Sequence, residues 1–65
     1  MAVDPLADPD IVRAARYMIA QHRHNAASRA YGRTAELVIR GEHGAAAIWG
    51  QITSAIQQLQ AEDKT

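Results

Sequence analysis

Three histidines, His22, His24 and His43, are the side chains in this 65-residue chain best suited to hold a metal ion or to move a proton near neutral pH. Zinc needs three or four ligands at recognisable spacings, such as two histidines four apart on one helix face or a Cys-x-x-Cys pair. The chain has no His-x-x-x-His and no cysteine. His22 and His24 are two apart, a separation that sends side chains in divergent directions on a helix, and His43 lies in a different linker. These histidines read as helix-end residues, where the imidazole interacts well with the last carbonyls. Ser28 and Ser54 have no accompanying histidine–acid pattern for nucleophilic catalysis. The acids Asp4, Asp8, Asp10, Glu62 and Asp63 gather near the two ends, where they serve as caps and solubilising charges. A chain this short has little room for even the roughly 300 Å³ of a small ligand site. The expectation is a non-enzyme with no catalytic residues, no cofactor and no bound metal.

The basic residues carry more information. Arg13, Arg16, Arg23, Arg29, Arg33 and Arg40 fall in a stretch whose only acid is Glu36. Arg29, Arg33 and Arg40 share one face of a predicted helix, and arginine offers two-pronged geometry to phosphate oxygens. They are the candidate contacts to an anionic partner, and the turn at 22–25 could even be drawn as the bend of a helix-turn-helix. A net charge of zero and a sequence pI near 6.8 weigh against nucleic acid, because such domains usually carry a basic excess.

Three helices would position these residues. Asp8 before Pro9 is a strong helix start, since the carboxylate accepts from orphan amides and proline at the first helical position forfeits no bond. Helix 1 is predicted from Pro9 to about His22, with Ile11, Ala15, Met18 and His22 inward. Asn25 reads as the cap of helix 2, which runs to Arg40 and stops at Gly41. Its predicted stripe is Ala27, Ala30, Tyr31, Thr34, Leu37 and Val38. After the turn Gly41–Gly44, helix 3 is predicted to bury Ala45, Ile48, Trp49, Ile52, Ala55, Ile56 and Leu59. Short connections make consecutive helices antiparallel neighbours. The fold expected is all-α, a compact three-helix bundle with short loops over residues 9–61, preceded by a flexible acidic arm at 1–8 and followed by a frayed tail at 62–65.

From Ala45 to Gln60 no side chain is charged. On helix 3 the predicted outer face is Ala46, Ala47, Gly50, Gln51, Thr53, Ser54, Gln57 and Gln58, where an exposed helix normally carries Lys and Glu. A mid-helix glycine costs about 1 kcal/mol against alanine and so calls for a packing reason. Ala46, Ala47, Gly50, Thr53, Ser54 and Gln57 are therefore the candidate protein interface. Helix 2 carries a comparable small-residue strip in Ser28, Gly32, Ala35 and Ile39. Fourteen alanines and no phenylalanine make for a thin core, which a protein partner or self-association would reinforce.

The runs R-A-A-R-Y-M-I, A-x-x-R-A-x-x-x-x-x-E-L and G-E-H-G-A-A-A-I-W-x-x-I-x-x-A-I-x-x-L, spanning about residues 10 to 59, resemble small helical proteins of unknown function from alphaproteobacteria. That resemblance implies a helical fold and supplies no activity. The start MAVDPLADPD lacks the basic and apolar regions of a secretory signal. The uncharged stretch is shorter than the roughly 20 apolar residues of a membrane span. A cytoplasmic chain with no membrane association is the expectation. Its expected role is a non-catalytic protein-interaction or accessory module, with a small nucleic-acid binder as the alternative.

Overall fold

The structure, a computed structural model, describes residues 4–63. They are all-α, with no strand among them. Helix α1 spans Pro9–His22, a 3-10 turn spans Arg23–Asn25, α2 spans Ala26–Ile39 and α3 spans His43–Asp63.

The first helix starts as its sequence dictates. Asp8 is extended, its carboxylate accepts from the Asp10 N–H at 2.9 Å, and Pro9 occupies the first turn. The end of α2 is equally legible. Gly41 adopts a φ of 77°, its N–H donates to the Val38 carbonyl at 3.0 Å, and the Glu42 N–H donates to the Leu37 carbonyl at 2.9 Å. That paired closure, with glycine in the left-handed position, reverses the chain in a few residues and sets α3 against α2. α3 then begins at His43, two residues ahead of the predicted Ala45, and continues through Asp63, so the predicted fraying from residue 62 is not seen up to that point.

The junction of α1 and α2 departs from expectation. No extended loop separates them: the 3-10 turn at 23–25 joins α1 directly to α2, and the helical backbone is interrupted at Arg23, whose φ is 55°. Asn25 makes no side-chain cap; instead its carbonyl accepts from the Ser28 hydroxyl at 3.1 Å. The described chain is thus two helical stretches, the first bent into two arms, rather than three helices joined by loops. α3 packs against both arms, most extensively against α2, while α1 and α2 touch each other least. The molecule measures 37 × 28 × 16 Å, a slab with α3 in the middle. The compact three-helix bundle is corrected accordingly to an all-α slab.

Ile11 and Ala15 of α1, Ala26 and Ala30 of α2, and Ile52, Ala55 and Ile56 of α3 form the core. Leu6, Met18, Ile19, Trp49 and Leu59 pack against its edge. Four of the seven central positions are alanines, which let helix backbones approach closely but bury little area each. Leu6 packs against the edge of the core, and the Asp4 carboxylate and carbonyl accept from the Leu6 and Ala7 N–H groups. Residues 1–3 and 64–65 lie outside the described residues.

Candidate functional site

The uncharged length of α3 has in part a plain structural cause. A helix flanked on both sides buries about half of its circumference here, and charge is expensive wherever it is buried; the exposed positions of the stretch are uncharged without that reason. Ala46 and Thr53, predicted to face outward, are only 6% and 8% exposed, and Gly50 and Gln51 are half-buried. The Thr53 hydroxyl is satisfied within the helix, donating to the Trp49 carbonyl at 2.8 Å. Ala47, Ser54, Gln57 and Gln58 do face solvent. The predicted interface strip is therefore divided: Ala47, Ser54 and Gln57 are open, Gly50 lies at the margin, and Ala46 and Thr53 are inside. A Cβ placed on Gly50 would meet nothing within 4 Å, so no close approach inside the chain requires a glycine there.

The reverse error occurs on α2. Tyr31 and Val38, assigned to its inner stripe, are 67% and 49% exposed, and Ile39 is 85% exposed. The buried face is Ala26, Ala30 and Leu37, rotated by about 60° from the predicted one. Tyr31, Ala35 and Val38, spaced i, i+4, i+7, thus form a second, uncovered apolar stripe. Ile48 on α3, also assigned to the core, is half out in solvent, and Trp49 is half-buried.

Trp49 lines an open groove of about 440 Å³ between α1 and α3, together with Asp10, Arg13, Ala14, Tyr17, Met18 and Ile52. Its walls are apolar. Its charged residues, Asp10 and Arg13, face each other at 3.7 Å on the exposed rim. A smaller crevice lies on the opposite flank of α1, lined by Arg16, Ile19, Ala20, Leu59 and Glu62. The sequence reading missed Tyr17 as a groove residue. The available signal was its place one position before Met18, beside the apolar stripe of α1.

The histidines do not converge. His22 and His24 sit at the α1–α2 bend and His43 begins α3, with the roughly 21 Å length of α2 between. Among the described residues no three His, Asp or Glu side chains gather as metal ligands. On the basic face, Arg33 and Arg40 both reach the same Glu36 carboxylate oxygen at 3.2 Å. Of the three predicted anion contacts, Arg29 shows no such carboxylate partner among the described residues. No helix of the described residues is long and apolar enough to cross a membrane. Comparison with protein-family models, with curated proteins and with solved structures finds no match in any of the three.

Proposed function

We propose that this chain is a non-catalytic protein-interaction module, self-associating or bound to a larger partner. The observation that carries this reading is the uncovered stripe Tyr31, Ala35 and Val38 on α2, flanked by Ile39. Apolar side chains at i, i+4 and i+7 are the spacing with which one helix reads another. The open, uncharged positions Ala47, Ser54 and Gln57 of α3, with Gly50 at their margin, extend the surface available to a partner.

The phosphate-binding alternative gains no support from the geometry, because Glu36 already pairs with two of the three arginines that would carry it.

The test compares sedimentation of the purified wild type with Tyr31→Lys and Gly50→Lys, alone and with any protein that co-purifies. Tyr31 is exposed and a Cβ at the half-buried Gly50 meets nothing within 4 Å, so both substitutions should leave helicity intact. Each introduces a charge that a helix contact would have to bury, and so should weaken association by 10-fold or more. Unchanged sedimentation and unchanged partner affinity in both variants would dismiss the interaction surface.

A further inference from the structure

Arg23 has φ 55° and ψ −124°, the conformation of the first central residue of a type II′ turn, a position that glycine normally fills. It is the only non-glycine residue with positive φ among the described residues. A residue with a Cβ is strained there and persists only where its surroundings hold it. Three hydrogen bonds do so: the Arg23 N–H donates to the Ile19 carbonyl, and the Arg23 carbonyl accepts from the Ala26 N–H and, at 2.7 Å, from Gln60 Nε2 of α3. The local sequence places a turn here but supplies no residue that favours this backbone at Arg23. From Gln21 to Ala26 there is no proline and no glycine, and helix continues directly on both sides.

We propose that the chain exchanges α1 with a second copy of itself. Arg23 relaxes to helical backbone, 9–39 becomes one helix about 46 Å long, and each α1 packs on the α3 of the other copy. Straightening carries α1 away from its own α3, so Ile11, Ala15 and Ile19 must be covered again, and the surface that fits them is the one they left. Little is lost in separating the arms, because α1 and α2 touch least of the helix pairs. The exchange reproduces the α1–α3 contacts in the partner and relieves two strained residues per dimer. Short hinges under strain favour this outcome. The proposal does not depend on the α2 or α3 surfaces.

Strain of this kind shifts an equilibrium by about 5- to 150-fold per hinge, and the two hinges multiply. The experiment is sedimentation of the full chain refolded over a range of concentrations, beside Arg23→Gly, Gln60→Ala and Gly50→Lys. The wild type should form a dimer that reverts slowly on dilution. Arg23→Gly should weaken it by about 30-fold or more and should melt higher as a monomer, because glycine takes the bend without strain. Gln60→Ala should strengthen it, since the clamp on the bend is gone, and Gly50→Lys should leave this slowly reverting dimer unchanged even where it weakens a rapidly reversible association through the outer surface. Mixing one copy carrying Ala20→Cys with another carrying Leu59→Cys, two positions that line the same crevice, should give an inter-chain disulfide in the dimer. A wild type monomeric at every concentration, an Arg23→Gly dimer as strong as the wild type, or a dimer without the inter-chain disulfide would each overturn the exchange. Loss of the dimer in Gly50→Lys with no effect of Arg23→Gly would assign self-association to the surface instead.

Discussion

Ile56 is the large side chain with no exposed surface, whereas Trp49 sits half in the groove between α1 and α3. The cost of truncation follows burial and residual cavity, so side-chain size alone ranks these two positions wrongly. Ile56→Ala removes methylene groups from the point where all three helices meet and should cost about 3–4 kcal/mol. Trp49→Ala should cost about 2 kcal/mol, because part of the indole is already hydrated and the groove can fill with water. In a domain this small, whose total stability is on the order of 5 kcal/mol, the first variant should be largely unfolded and the second still cooperative. Urea melts followed by circular dichroism measure both. A Trp49→Ala variant less stable than Ile56→Ala would mean that the groove residue, rather than the meeting point of the helices, anchors the core.

At the scale of the element, the helices were legible where local chemistry decides and illegible where packing does. Asp8–Pro9 and Gly41 mark their boundaries by hydrogen bonding and backbone conformation, which any reader of the sequence can apply. The period of α2 is also plain. Its phase is not, because alanine carries no strong inside or outside preference, and Tyr31 and Val38 outweigh Ala26 and Ala30 on any hydrophobic tally. The structure chooses alanine because small side chains bring α2 and α3 close along their length, whereas a tyrosine between them would hold the backbones apart. The same logic explains why the inward positions Ala46 and Thr53 looked like surface. The turn between α1 and α2 was legible in its place, His22 to Asn25, but not in its form: the expected Asn25 side-chain cap is absent, and the left-handed Arg23 is held by local backbone hydrogen bonds and by Gln60, a contact distant in sequence. The phase of α2 predicts the effects of two substitutions. Ala30→Leu should cost about 1–3 kcal/mol through overpacking, while the adjacent Tyr31→Ala should change stability by no more than about 0.5 kcal/mol. Paired thermal melts decide it, and the opposite pattern would restore Tyr31 to the core.

At the scale of the whole molecule, shape and charge together limit what the surface can do. The protein exposes 4651 Å² of surface, against about 4,100 Å² for a compact chain of its 7.1 kDa mass, in keeping with a slab. Its arginines lie between residues 13 and 40, and its acids gather mainly near the two ends, for a net charge of zero. The basic concentration on α2 is offset locally, because Glu36 holds both Arg33 and Arg40 through exposed pairs. Such pairs contribute about 0.2–1 kcal/mol each to stability and are screened by salt, so the melting temperature should change little between low and moderate ionic strength. They matter more for recognition. A polyanion would have to compete with Glu36 for two of the three candidate cations, leaving Arg29 as the contact that needs no exchange of partner. Binding by so few phosphate contacts falls well short of the six to ten that give steep salt dependence. The expected result is no measurable affinity for duplex or single-stranded DNA at physiological salt, read by fluorescence anisotropy. Glu36→Gln supplies the sharper comparison. If the carboxylate is what silences this face, the variant should show weak binding at low salt that disappears as salt rises. Sub-micromolar binding by the wild type, weakened in Arg29→Ala and Arg33→Ala with a salt slope reduced by about one unit each, would reverse the ranking and make the arginine face of α2 the working surface.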